Sequence, residues 1–179
     1  FQIDHHIGTA AAGYIPDARS QVDDARFFSQ SSRLVYDEPV SVELVAKHMA
    51  DQFQQFTQYA GARPMGVALI IGGIDKLGNS LFLTDPSGTY IPYDAVAIGA
   101  NSDKVTEFLN KEYNPNITLN DGCVMAAAAI NLVSESKDDI NNIRISQIKS
   151  DTKLFEILSN EQIQKIIQTV KEKYPPETS

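Results

Sequence analysis

An uninterrupted apolar segment at residues 66–73, GVALIIGG, is the feature that most constrains the fold of this chain. It has the length of a strand, yet it lacks the alternation of apolar and polar residues that marks a strand with one face in water. A strand without a polar side is covered on both faces, which predicts a central strand in a layered core. The small and apolar residues at 7–14 predict a second strand of the same kind.

Apolar residues at steps of three and four predict amphipathic helices on either side of these strands. Ser41 is placed to cap the second helix, and Ser159 with Gln162 has the spacing of a capping box. The predicted helices cover residues 16–34, 41–61, 102–113, 118–133 and 159–174.

Shorter strands are predicted at residues 81–84, 89–98 and 143–146. The turn sequence Asp-Pro-Ser-Gly at residues 85–88 joins the first two as an antiparallel hairpin. Strands grouped between helix pairs do not fit alternating βαβ units with a parallel sheet. We therefore expect an α+β fold in which two sheets face each other and helices cover each outer side, a four-layer αββα sandwich.

Length, charge and cysteine content narrow the functional classes. A chain of 179 residues fits one domain over residues 1–179, and a net charge of -8 disfavours nucleic acid as a partner. Cys123 is the only cysteine, which excludes an internal disulfide and favours a reducing, cytoplasmic location. No apolar run reaches the roughly 18 residues of a membrane span, so we expect no membrane partner.

Histidine and cysteine residues offer few candidates for chemistry. His5 and His6 are adjacent in what reads as a strand, where successive side chains point to opposite faces, so we expect no metal site. His48 flanks the stripe of the second helix and predicts a hydrogen-bonded residue at a helix interface. Cys123 lies on the most apolar helix, where a thiol is normally inert packing.

Gly72 and Gly73 share their small size with residues of loops that bind small anions. No Lys-Ser/Thr pair follows them and no helix begins there, so a hairpin turn is the better interpretation. The sequence also contains no Gly-x-Ser-x-Gly elbow, no His-Glu-x-x-His pair and no dinucleotide fingerprint. Residue spacing alone therefore indicates neither a catalytic site nor a cofactor.

Several motifs occur together in an order that resembles the α-type subunits of the 20S proteasome, closest to those of archaea. The first is Ala-Gly-Tyr-Ile-Pro-Asp-Ala-Arg at residues 12–19, and the second is Tyr-Asp-Glu-Pro-Val-Ser-Val-Glu at residues 36–43. The strongest is Gln-x-x-Thr-Gln followed by Arg-Pro-x-Gly-Val, within residues 54–67. Ile-Gly-Gly-Ile-Asp at residues 71–75 and Asp-Pro-Ser-Gly at residues 85–88 follow as in the family, although Met65 replaces its usual aromatic residue.

The resemblance implies the αββα fold of the N-terminal-nucleophile hydrolases. That class catalyses through an N-terminal Thr, Ser or Cys, and Phe1 supplies neither the nucleophile nor its base. The family has a helix, a gate segment and early strands ahead of the position where this chain opens, so we expect an N-terminally truncated chain. The expected function is a non-catalytic subunit of the heptameric outer ring, a structural component of a threonine-type endopeptidase complex. Its implied partners are other α subunits, β subunits and a regulatory AAA ATPase.

In the family, C-terminal tails of that ATPase enter pockets between neighbouring α subunits. Gly13 and Tyr14 match the glycine and apolar residue that contribute to this pocket, so the resemblance makes them candidate binding residues. The pocket's basic residue lies upstream of the motif, which predicts weak tail binding by this chain alone. Arg63 and Pro64 are expected to form a structural corner between helix and strand.

Two alternatives from other functional classes remain open from the sequence. One is an active threonine peptidase of the same fold, a β-type subunit or bacterial relative whose nucleophile precedes this segment. The other is a free-standing domain that binds a small anion at Gly72 and Gly73.

Overall fold

The structure is a computed structural model that describes residues 1–134 and 139–175. The chain divides into two compact units. The first unit comprises Phe1–Ala100 and Ile148–Phe155, and the second comprises Asn101–Gln147 and Glu156–Ser179. The expectation of one domain over residues 1–179 stays a prediction.

The first unit contains an antiparallel sheet and two long helices. In the sheet each strand pairs with its neighbours along the chain, in the order β1-β2-β3-β4-β5. The elements of this unit are β1 Gln2–Asp4, β2 Ile7–Gly13, α1 Ile15–Tyr36, α2 Val42–Gln58, β3 Val67–Ile74, β4 Asn79–Thr84 and β5 Tyr90–Pro92.

Strand β3 is the centre of the sheet, as the apolar segment predicts. It pairs with β2 through Ile71 and Thr9 and with β4 through Ile71 and Phe82. From Val67 to Gly73 alternate residues of β3 are buried and the residues between them are half-buried, and Ile74 is buried as well. Leu69 and Ile71 belong to the buried set, which packs in one core with residues of α1 and α2.

The core of the first unit consists of large side chains from the two helices and the sheet. Phe53 and Met49 of α2 have no exposed surface, and neither do Ile7 and Leu69 of the sheet. Burying side chains of this size stabilises a fold by about 1.5–3 kcal/mol each. The position of β3 and the packing of α2 are therefore determined together.

The second unit consists mainly of helices. Its elements are α3 Ser102–Glu112, α4 Leu119–Val133, a 3-10 turn Asp139–Asn142 and α5 Asn160–Lys173. Helix α4 packs against α3 and α5, and its buried alanines permit that close approach. Strand β6 Ser146–Ile148 pairs with β7 Phe155–Ile157 in a separate two-stranded sheet.

The helix starts predicted from the sequence are confirmed at three caps. The side chains of Ser41, Thr118 and Ser159 each accept a hydrogen bond from a backbone N–H in the first turn. Gln162 completes the predicted capping box by accepting from the backbone N–H of Ser159. Local side-chain chemistry determines these positions, which is why the sequence is sufficient to find them.

Helix and strand ends differ more from the predictions. Helix α1 continues to Tyr36 and stops at Asp37 in a left-handed conformation, and α2 stops at Gln58 before the predicted Gly61. The strand predicted at 89–98 is shorter in the structure and ends at Pro92, just before a last hydrogen bond from the backbone N–H of Tyr93 to the carbonyl oxygen of Leu81. The strand predicted at 143–146 is instead Ser146–Ile148.

None of the helices among residues 1–134 and 139–175 is both long enough and apolar enough to cross a membrane.

Candidate functional site

Gly13, the first candidate residue, lies where β2 passes into α1. Its φ is 121°, a conformation that side chains with a Cβ rarely adopt. A Cβ built at this position would meet the carbonyl oxygen of Gly66 at 2.3 Å. The tight approach comes from the antiparallel pairing of Gly13 with Val67. Glycine is therefore required here by the backbone, whatever else the position does.

Tyr14, the second candidate, follows as the residue before α1. Its backbone N–H donates to the carbonyl oxygen of Gly66 over 2.7 Å, which joins the start of the helix to the start of β3. Its side chain is 55% exposed. The guanidinium carbon of Arg63 lies 5.2 Å from the centre of the tyrosine ring, within the range of a cation–π contact.

Asp17 and Arg63 form a two-pronged ion pair beside Tyr14. Arg63 Nη1 donates to Asp17 Oδ2 over 2.7 Å, and Nη2 donates to Oδ1 over 2.8 Å. The backbone N–H of Gly66 also donates to Asp17 Oδ2, over 2.9 Å. Bidentate pairing of this type fixes orientation as well as charge. It connects the Asp-Ala-Arg motif of α1 to the Arg-Pro-x-Gly-Val motif ahead of β3.

These contacts alter the titration of both partners. The hydrogen bonds from Arg63, followed by the one from Gly66, lower the pKa of Asp17. The hydrogen bond to Asp17 raises the pKa of Arg63. The arrangement suits a rigid corner that presents Tyr14 outward, as expected for Arg63 and Pro64. Asp17 was not singled out in the sequence analysis. A signal for the ion pair was present, because Asp17 in one family motif and Arg63 in another carry opposite charges.

The other residues singled out from the sequence lie apart from this corner. His48 Nε2 lies 2.6 Å from Asp24 Oδ2 and its ring stacks on Phe28, so it is the predicted interfacial histidine. Gly72 and Gly73 lie inside β3, paired with β2 and β4, and not in a hairpin turn.

Cys123 is buried on α4, as predicted. Burial raises the pKa of its thiol, which disfavours the reactive thiolate.

His5 and His6 do not lie in a strand, so the expectation that their rings point to opposite faces is wrong. Strand β1 ends at Asp4, and the two histidines form the turn into β2. Their ring centroids are 4.5 Å apart. A tight turn breaks the alternation of a strand and places neighbouring side chains on the same side.

Comparison with known proteins identifies the origin of the motifs at this corner. The model of the family described as "Proteasome subunit" matches residues 1–148. This chain belongs to the proteasome subunit family. Its α+β architecture, with helices beside an antiparallel sheet, agrees with the N-terminal-nucleophile hydrolase-like fold of that family.

Proteasome subunits named α are similar to this chain over most of its length. "Proteasome subunit alpha" of Methanosphaerula palustris is 39% identical over 172 residues, covering 96% of this chain and 71% of the relative. The Archaeoglobus fulgidus protein of the same name is 40% identical over 173 residues, covering 97% of this chain and 70% of the relative. The Saccharolobus islandicus protein of the same name is 41% identical over 163 residues, covering 90% of this chain and 68% of the relative.

Proposed function

We propose that this chain is a non-catalytic α-type subunit of the 20S proteasome core. The observation that carries this proposal is the similarity of about 40% identity to archaeal proteins named proteasome subunit alpha, over nearly all of the chain. The same names disfavour the catalytic β-type alternative. In this role the chain contributes to a seven-membered outer ring in the cytoplasm, and the β subunits provide the threonine-type endopeptidase activity.

Assembly provides the direct test of this proposal. The chain is produced with and without an archaeal β-type subunit, and native mass spectrometry and negative-stain microscopy count the subunits in each particle. We expect seven-membered rings that stack on β rings. Only monomers under both conditions, or peptide hydrolysis by this chain without a β subunit, would contradict the proposal.

A four-layer αββα arrangement is part of this proposal. The face of the sheet opposite its buried core includes Ala10 of β2, Ile70 of β3 and Leu83 of β4, which are aligned across the strands. Ile70 and Leu83 are half-buried and Ala10 is exposed. An apolar sheet face of this kind is suited to packing against a second sheet. Protection of Leu83→Cys from a thiol reagent in the assembled ring, with Leu77→Cys at an exposed turn as the control, would support it.

We further propose that Gly13 and Tyr14 contribute to the pocket that receives the C-terminal tail of a regulatory AAA ATPase. Two observations support it. Tyr14 is exposed, and its backbone is hydrogen-bonded to Gly66 while Arg63 lies against its ring. A preorganised exposed aromatic residue can contribute contact area at a low cost in conformational entropy. The glycine before it keeps the backbone close to β3.

The tail pocket is tested in assembled particles with a synthetic C-terminal ATPase peptide as the probe. Tyr14→Ala should reduce peptide-stimulated substrate hydrolysis by roughly tenfold, the scale on which an interface anchor acts. Tyr59→Ala is the matched control, since Tyr59 is also an exposed tyrosine of the first unit, at 65% exposure. Equal stimulation of the Tyr14 variant and the native particle would exclude Tyr14 from the pocket without affecting the assembly proposal.

A further inference from the structure

The turn between β1 and β2 brings three potential metal ligands together. Asp4, His5 and His6 each direct one ligand atom into a common space, and these atoms lie within 4.8 Å of one another. Asp4 and His6 are buried, whereas His5 is half-buried. The cluster is therefore closed on the protein side and accessible from the side of His5.

His6 is oriented as a metal-ligating histidine is. It is 2% exposed, and its Nε2 lies 2.8 Å from the carbonyl oxygen of Val40. Since a carbonyl only accepts hydrogen bonds, Nε2 carries the proton and Nδ1 has a free lone pair. Ligating histidines commonly donate their second ring N–H to a backbone carbonyl in this way. Within the described part of the chain, His6 Nδ1 has no hydrogen-bond partner.

A positive side chain already lies in this space but leaves polar atoms unsatisfied. Arg33 Nη2 is 2.8 Å from Asp4 Oδ2 and 2.9 Å from His5 Nδ1. The Nε atom of Arg33 is buried, with no hydrogen-bond partner among residues 1–134 and 139–175. A buried polar atom without a partner has lost its contact with water and gained none in return, so it destabilises the fold. Two such atoms, Arg33 Nε and His6 Nδ1, occur at this one cluster.

His5 cannot satisfy both of its neighbours in a single neutral form. Its Nδ1 lies 3.0 Å from Asp4 Oδ1 and 2.9 Å from the Arg33 donor. If Nδ1 carries a proton, it can donate to Asp4, but its N–H then faces the N–H donor of Arg33. If Nδ1 has a lone pair, it can accept from Arg33, but the lone pair then faces the carboxylate oxygen of Asp4. A cation with no hydrogen atoms would attract the lone pair and the carboxylate together.

We propose that Asp4, His5 and His6 form a binding site for a divalent transition metal ion of the Zn²⁺ or Ni²⁺ class, which displaces Arg33. In a tetrahedral site with bonds of about 2.1 Å, neighbouring ligand atoms are about 3.4 Å apart. Asp4 Oδ1 lies 3.0 Å from His5 Nδ1, the other oxygen Oδ2 lies 3.7 Å from His6 Nδ1, and the three ligand atoms lie within 4.8 Å of one another. A rotation of the Asp4 and histidine side chains would bring one carboxylate oxygen and the two nitrogens to the tetrahedral spacing. A water molecule would occupy the fourth position, on the exposed side.

The donor set selects the class of ion. Two imidazole nitrogens and one carboxylate suit Zn²⁺ or Ni²⁺, whereas Mg²⁺ and Ca²⁺ prefer oxygen ligands. The Arg33 side chain is 37% exposed, so its guanidinium can move into water when a metal ion enters. Bound metal would then connect β1, the turn and, through the Val40 carbonyl, the segment that precedes α2.

The test is isothermal titration of the purified full chain with ZnCl₂ at pH 7.5. Visible absorption of the Co²⁺-substituted protein reports the coordination geometry. We expect one Zn²⁺ per chain and the intense bands of tetrahedral Co²⁺. His5→Ala should weaken Zn²⁺ binding by at least tenfold, because it removes a half-buried ligand with little effect on the core. Arg33→Met should strengthen binding, because it removes the competing cation and keeps the apolar stem.

His48→Ala is the matched control, since it removes another histidine that contacts an aspartate, outside the cluster. Circular dichroism of each variant verifies that it is folded. Unchanged Zn²⁺ affinity in His5→Ala, or equal losses in His5→Ala and His48→Ala, would overturn the proposal. Absence of Zn²⁺ binding by both the native chain and the Arg33→Met variant would overturn it as well.

Discussion

Different kinds of internal contact stabilise the two units of this proteasome subunit. In the first unit, β2 pairs with β3 continuously, from Ile7 opposite Gly73 to Gly13 opposite Val67. The two strands are separated in the sequence by helices α1 and α2. In the second unit, α4 and α5 pack through buried side chains such as Val124 of α4 and Ile163 and Ile167 of α5. The first unit therefore depends on backbone pairing between strands, and the second depends on side-chain packing between helices.

The cores of the two units also differ in the size of their buried side chains. Phe53 and Met49 fill the first core without any exposed surface. Alanine residues of α4 and isoleucines of α5 form much of the second core. Large side chains that interlock between a sheet and helices leave a large cavity when truncated. The comparison teaches that single substitutions should be costlier in the first unit.

The largest difference is expected for truncation of the central aromatic residue of α2. Phe53→Ala should lower the free energy of unfolding by about 3–5 kcal/mol, since it removes a fully buried ring. Phe56→Ala, one turn further along at 36% exposure, should cost far less. Urea denaturation followed by circular dichroism measures both. A larger loss for Ile167→Ala than for Phe53→Ala would break the comparison.

A nearly equal effect is expected at the corner of the candidate site. Gly13→Ala combines an unfavourable φ with a backbone clash, so we expect it to destabilise the chain by at least about 3 kcal/mol. Gly61→Ala shares the positive φ but meets no described heavy atom within 4 Å of the new Cβ, and it should cost about 1 kcal/mol. Hydrogen exchange measured by mass spectrometry should place the loss at Gly13 in β2 and β3. Equal losses at both glycines would show that the clash relaxes.

A smaller effect is expected from a helix cap in the second unit. Ser159→Ala removes the hydrogen bond to the backbone N–H of Gln162 and should cost about 1 kcal/mol. Hydrogen exchange should increase in the first turn of α5 and stay unchanged in the sheet of the first unit. A loss of protection that spreads into β3 would show that the units do not respond separately.

The smallest difference is electrostatic and is confined to acid pH. The pKa of Asp17 is lowered in the folded chain, mainly by Arg63, so its contribution to stability is fully present above about pH 4. That contribution is lost as the pH falls through the lowered pKa. Urea titrations between pH 2.5 and pH 7 should therefore show a shallower acid dependence for Asp17→Asn than for the native chain.

Asp121 in the second unit provides the comparison for Asp17. Its pKa is lowered mainly by the hydrogen bond from Lys173, but both side chains are exposed. Salt at 1 M should remove the contribution of Asp121, because screening then acts within about 3 Å, and should affect the less exposed Asp17 less. The same salt sensitivity at both positions would remove this distinction between the units.

The sequence by itself determined the local features of this protein. Caps at Ser41, Thr118 and Ser159 and the apolar stripes of the helices depend on residues within one or two turns, so a linear pattern is sufficient to locate them. The resemblance of the ordered motifs led to the family, and it named Gly13 and Tyr14.

Only the tertiary structure decided which distant residues meet. It joined Asp17 to Arg63, turned His5 and His6 to the same side beside Arg33, and ended the fifth strand at Pro92. These outcomes depend on strand register and on the path of each turn, which arise from packing between segments far apart in sequence. A pattern along one segment cannot predict such pairs, because strand register depends on the whole sheet and not on any one strand.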